Sequence, residues 1–479
     1  MSAGYTYFGQ FVDHDLTFDT TSSFRNPGLA ASNLRSPRFD LDCVYGAGPD
    51  DQPYMYATDS AGGRRKGASL VLGLPLAGSP GRRDLLRIGD GSGARAVIGD
   101  PRNDENSLVC NIQLAFIAFH NAVVAYLTTT EPTLGERDVF IRARKLVRWT
   151  YQRILVEDYL PRIIEPATYM TFVSRLERQG EGAFQLYIPA KRGGIPIEFA
   201  GAAYRYGHSM VRTGYKLNPV HVPQKIFTPG AGQDSLLGFG RLPDNHWIEW
   251  SRFFPKNNMF RANGERPAQN VNDAPDRLQW AYRIDTALVD PLSVLPDAVA
   301  NGASLADLNL RRGNLFGLVG GQTVAEALGV APLDPRYLVM RDARGGAFGY
   351  TDIPAPLRSD TPLWFYVLAE AQRDLVDLWR AKNAGAGSAQ PLDDDDLRLG
   401  LADATGTRTR APIAQLGPVG GMILLETFFG LLLADSDAFL AIASAEDRAH
   451  AEVWFRHFTQ EGTLDISMWR LLDYAGLTD

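Results

Sequence analysis

The strongest constraint on any fold this chain can adopt is the run Gly9-Gln10-Phe11-Val12-Asp13-His14-Asp15 near its start. It packs an amide, an imidazole and two carboxylates into six positions. On a helix, Gln10 and His14 are four apart and Asp13 is three from Gln10, so these three crowd one side. Asp15 is turned about 100° from His14 and faces elsewhere. One short segment can therefore serve two neighbouring sites. Such groups are costly to bury without partners, so this is the first place to look for chemistry.

The remaining pattern is mainly helical. Residues 20–100 are rich in Gly, Pro, Ser and Asp and predict loops with short extended pieces. Asp100-Pro101 reads as an N-cap followed by proline at the first helical position. From Leu108, the residues Ile112, Phe116, Phe119 and Val123 recur at helical spacing. Residues 136–157 repeat the pattern, and 361–382, 417–434 and 444–459 also predict helices. The expected fold is mainly α, with long loops and little sheet, as a single unit over 1–479. Asn383 to Asp396 is expected as an exposed loop.

Composition narrows the function classes. Of 479 residues, 45% are hydrophobic, enough for a sizeable core. The 48 basic and 55 acidic residues leave a net charge of −7, without the basic footprint of a nucleic-acid binder. Cys43 and Cys110 are the only cysteines, so there is no disulfide framework and no zinc spacing. The first residues lack a basic and apolar leader. An intracellular setting is the default expectation, and residues upstream of this start would leave export open. The apolar stretch Met422 to Ala434 is too short to span a bilayer and predicts a buried helix. Oligomeric state is not readable.

Further polar groups recur along the chain. Arg102 and Glu105 are three apart at an expected helix start and share a face. Arg102 offers a permanent cation. Tyr204-Arg205-Tyr206-Gly207-His208 joins an imidazole to a candidate anion partner, Arg205. Asn309 in Leu308-Asn309-Leu310-Arg311-Arg312 carries an amide oxygen able to accept from an imidazole nitrogen. Ser36, Arg38, Asp40 and Asp42 alternate. In an extended loop they would turn oxygens to one side, which suits a hard cation such as calcium.

Taken in this order, the motifs resemble those of the animal-type haem peroxidases, the peroxidase–cyclooxygenase superfamily, in a form similar to its bacterial members. The resemblance runs from about Phe8 to the 430s, through Gly417-Pro418-Val419-Gly420-Gly421. It implies a helical peroxidase fold around haem b. His14 would be the distal histidine, Gln10 its neighbour at the halide or water position, and Arg102 the distal arginine. Asp13 and Glu105 would be the carboxylates that form ester bonds to haem methyls. His208 would be the proximal iron ligand, Asn309 its hydrogen-bond partner, and Arg205 and Arg312 the arginines near the propionates. Asp15, Ser36, the Arg38 carbonyl, Asp40 and Asp42 would hold calcium. The implied partners are hydrogen peroxide and a small electron donor, such as a halide or a phenol, oxidised through a ferryl intermediate.

Some positions depart from the family pattern. Asp42 stands where mammalian relatives usually have a hydroxyl residue. Asn106, not Met, follows Glu105, so no sulfonium link is possible. Asn314-Leu315-Phe316-Gly317 follows Arg312-Gly313. Two rival readings remain at this point. One is a fatty-acid dioxygenase or cyclooxygenase-like enzyme, whose radical-forming tyrosine would lie three residues before His208, where this chain has Arg205. The other is a non-catalytic haem- or calcium-binding module, for which His14 and Arg102 would be superfluous.

Overall fold

The computed structural model describes residues 1–478 apart from 19–32, 34, 59–65, 80, 91–92, 188–193, 229–234, 257–277, 343–348, 394–395, 398–399, 403–404, 410 and 461. The longer helices are α1 (Gly4–Leu16), α2 (Ser107–Thr130), α3 (Glu136–Ile154), α4 (Pro166–Gln179), α5 (Leu305–Leu315), α6 (Leu363–Ala371), α7 (Arg373–Asn383), α8 (Pro418–Ala434) and α9 (Ala445–Phe455). Among the described residues the strands form only two-stranded antiparallel hairpins, such as Val339–Asp342 with Gly349–Asp352. The fold class is therefore the mainly helical one expected.

Helix α1 is buried on nearly every side, which a polar-rich helix tolerates only when its polar groups find partners. It packs on α2, where Phe11 stacks on Phe116 with ring centroids 4.6 Å apart. The Tyr151 ring of α3 meets both phenylalanines edge-on. Phe11 is fully buried here. Phe11→Ala is expected to destabilise the chain by about 3–5 kcal/mol, read as a lower denaturant midpoint at unchanged slope.

Helix α2 is long and apolar enough to cross a membrane by length and composition, longer than the apolar stretch at 422–434. In its most apolar window, 78% of the residues are buried inside the protein, as in a core helix. Helix α3 runs into a π-turn, Leu155–Tyr159, which directs Tyr159 toward α1. Helix α8 is almost wholly buried, as expected for 417–434. Its first amides, from Val419 and Gly420, donate to the buried Glu370 carboxylate.

Three local expectations need correction. The helix expected over 361–382 is broken at Gln372, whose amide donates to Val339 and accepts from Thr286. Those cross-chain bonds outweigh helical continuity. Arg102 lies in a separate 3-10 turn, Pro101–Asp104, capped by Asp100, rather than in the helix that starts at Ser107. Residues 37–40 are bends rather than an extended run, and Leu41 has φ 60°. Of the expected loop at 383–396, residues 384–391 are exposed. Asp396 turns back to pair with Lys382, while 394 and 395 lie outside the described residues.

Candidate active site

A cavity of about 760 Å³ opens between α1 and the turn Ala203–Met210. Gln10, Asp13 and His14 of α1 line it together with Arg102 and Glu105. Arg205, His208 and Arg312 line it as well. Residues far apart in sequence thus share one set of walls. Asn309 stands behind His208, and Asp15 with 36–42 forms a separate cluster.

His14 is buried, and its Nδ1 lies 2.7 Å from Asn103 Oδ1. Asn103 spends its amide nitrogen on Gln113 Oε1 at 2.8 Å. Its oxygen must therefore accept, so His14 Nδ1 carries the hydrogen and Nε2 keeps a lone pair. Burial, with the Arg102 charge adding to it, lowers the His14 pKa to about 4. The ring is neutral through the physiological range. Asn103 went unnoticed in the sequence, although it directly follows Arg102.

Arg102 is held by two elements. Its guanidinium donates to the Asp100 carboxylate at 2.8 Å and to the carbonyls of His14 and Thr17 at the end of α1. It also lies over the Phe18 ring, 4.9 Å from the centroid. Asp100 accepts from Arg35 as well, at 2.6 Å. Burial alone would raise the Asp100 carboxyl, but Arg102, His14 and Arg35 bring it down to about 2. Two guanidinium groups thus share one carboxylate. Sequence reasoning read Asp100 only as a cap and did not find Arg35.

Across the cavity, His208 Nδ1 is 2.8 Å from the Asn309 side-chain nitrogen, while Asn309 Oδ1 is buried without a hydrogen-bond partner. Turning that amide over removes the orphan, because Nδ1–H then donates to Oδ1. Nε2 keeps its lone pair. Burial, followed by the Arg205 charge, lowers the His208 pKa to about 3, so the ring is neutral. Arg205 is itself lowered to about 10 by burial and by Arg312, with Asp13 opposing. Clustered cations at one wall fit an anionic edge of a cofactor.

Glu105 is half-buried, and desolvation of its carboxyl raises the pKa to about 7, while a bond from Gln10 and the nearby Arg102 pull it down. Gln10 Nε2 donates to Glu105 Oε1 at 3.2 Å. Asp13 accepts from the Thr17 hydroxyl at 3.1 Å.

The second cluster gathers Asp15, Asp40 and Asp42, with carboxylate oxygens within 4.8 Å of one another. Both oxygens of Asp15 are buried without a hydrogen-bond partner. Burial, then Asp40 and Asp42, push its carboxyl well above the usual range. Ser36 Oγ donates to Asp40 at 2.8 Å. Arg38 turns its side chain outward toward Asp435. Asp42 sits 3.2 Å from Arg35, the residue that also holds Asp100. An all-oxygen donor set around an orphaned carboxylate suits a hard cation.

Tyr159 also lines the cavity. Its hydroxyl lies 3.1 Å from that of Tyr204 and 2.6 Å from that of Tyr206, the neighbours of His208. The same hydroxyl abuts Gly9, where a Cβ would overlap it.

The helical fold thus brings two neutral imidazoles to the lining of one cavity, each with its Nδ1 beside an asparagine side chain. Residues 78–229 match the family described as animal haem peroxidase, a span that includes Arg102, Glu105, Arg205 and His208. The match takes in about a third of the chain. It is 30% identical over 239 residues to chorion peroxidase of Drosophila melanogaster, covering 49% of this chain and 26% of that protein. It spans about a quarter of that relative's length. Among solved structures, peroxidase A of Dictyostelium discoideum superposes with a TM-score of 0.55 at 15% identity, covering 99% of this chain and 84% of that one. The fatty acid alpha-dioxygenase of Arabidopsis thaliana gives 0.54 at 14% identity, covering 100% and 72%. Both are likenesses of fold.

Proposed function

We propose that the chain is a haem peroxidase that reduces hydrogen peroxide and oxidises a small donor. The observation carrying this reading is the pairing of His14 and His208 in one cavity, each neutral and each with Nδ1 held by an asparagine. Haem, when bound, supplies the iron at which peroxide is reduced. His208 would ligate it through Nε2. Asn309 is a neutral acceptor behind that ring and pushes less electron density toward a metal than a carboxylate would. Arg205 and Arg312 would meet the propionates, and Asp13 and Glu105 are the carboxyls available for ester bonds.

The chain's own chemistry is proton handling. The free lone pair of His14 Nε2 takes a proton from the near oxygen of peroxide and returns it to the departing one. Arg102 supplies fixed positive charge where negative charge develops. Asp100 offsets part of that charge, and Arg35 restores some of it. Gln10 places a carboxamide beside His14. Asp15, Asp40, Asp42, Ser36 and the Arg38 carbonyl would bind calcium, which anchors the end of α1 just after the catalytic base.

The dioxygenase reading shares the fold. Arg205 at three residues before His208, where those enzymes carry tyrosine, favours the peroxidase. The test is purification with haem, a spectrum before and after peroxide, and then a panel of halides and phenols. Peroxide-dependent donor turnover is expected, with haem retained through acidified organic solvent if the esters form. Oxygen uptake with an unsaturated fatty acid and no donor would favour the dioxygenase, and haem binding with no turnover of either kind would favour a non-catalytic module.

A further inference from the structure

We infer that Asn106 is a positioning residue that decides which end of the Gln10 amide meets Glu105, and so keeps the facing oxygen of Glu105 a hydrogen-bond acceptor. The inference deepens the peroxidase reading and rests on it for the cavity's role.

The argument starts at the N-terminus of α2, whose first amides have no partner within the helix. Asn106 precedes it in extended backbone and is almost fully buried. Its Oδ1 accepts from the Leu108 and Val109 amides at 3.1 and 3.0 Å. Those donors can bond only to oxygen, so the Asn106 amide cannot turn over. Its nitrogen is therefore directed at Gln10 Oε1, 3.2 Å away. With that oxygen engaged, Gln10 must present Nε2 to Glu105, and it does so at 3.2 Å. Each donor in the series follows from the one before. The backbone of a helix thus sets the sense of a hydrogen bond two side chains away, at a carboxyl lining the cavity.

The charged and titratable groups around Glu105 are few. Arg102 attracts its charge and Asp100 repels it. Tyr7 is buried beside it. Burial works against the carboxylate, so the Gln10 donor is a substantial part of what holds it ionised. The residue at 106 therefore does more than end a loop. A serine there caps α2 equally well but is too short to reach Gln10.

The test is an infrared pH titration of the 479-residue chain expressed without added haem, with the Glu105 acid band identified by its loss in Glu105→Gln. The wild-type midpoint is expected at about 7. Asn106→Ser should raise it by about one pH unit, the worth of one hydrogen bond to a carboxylate. Gln10→Leu should do the same, and the double variant should exceed neither single one. Thermal melting should stay within a few degrees, and Asn106→Thr replaces the serine variant if that one does not fold. An unmoved midpoint in the serine or threonine variant, or shifts that simply add, would overturn the inference. A wild type inert to peroxide would overturn the peroxidase reading instead, leaving the titration cycle intact.

Discussion

His14→Ala is expected to slow the reaction with hydrogen peroxide by about a thousandfold, within the roughly 10²–10⁴ range of general acid–base catalysis, while haem stays bound. The two effects separate because His14 and His208 come from different elements, α1 and the turn Ala203–Met210. Stopped-flow spectra of the haem-loaded variant give both quantities at once. The wild-type rate has a defined pH dependence. The His14 pKa is lowered to about 4, and the neutral ring is the base in the proposed reaction. The rate should therefore hold level from neutrality down to about pH 5 and fall as pH drops through about 4. A variant that reacts at the wild-type rate would remove His14 from the mechanism.

Asp15→Asn is expected to change sign with calcium. In the calcium-loaded protein it should destabilise by about 3 kcal/mol, close to the linkage contributed by a ligand at a hundred times its dissociation constant. In chelated protein the same substitution should stabilise, because a buried carboxyl crowded by Asp40 and Asp42, which the fold must keep protonated, gives way to an amide that is neutral at every pH. The pH dependence follows from linkage. The Asp15 carboxyl is raised above its ordinary value of 3.8, so the cation-free fold binds a proton that the unfolded chain has released. This group's contribution is therefore greatest in acid and is lost as pH rises through the raised value. Denaturant titrations with calcium and with chelator decide the matter, and an effect of the same sign in both would refute the cation assignment.

The parts of this arrangement readable from sequence are those governed by local spacing. The helical repeat alone puts Gln10, Asp13 and His14 on one side of α1 and turns Asp15 away, and the structure has them so. The partners were not readable. Asn103 reaches His14 only because the 100–106 segment folds back against α1, and Arg35 meets Asp100 across 65 residues of sequence. No spacing rule encodes that approach. The acidic trio could be named from its residues, but its backbone could not. Leu41 takes a left-handed conformation at φ 60°, which leucine rarely adopts, so an extended reading of 36–42 had nothing to contradict it. The break at Gln372 has the same origin, since its bonds run to Val339 and Thr286, far away in sequence.

Tyr159 and Gly9 set a dimension of the molecule. The phenol is fastened to Tyr204 and Tyr206 on the His208 side, and its oxygen rests against bare backbone on the His14 side. It is a shim seated between the two elements that carry the imidazoles. One added methyl at position 9 would overlap that oxygen, so the phenol or the helix would have to give way with every reactive group still present.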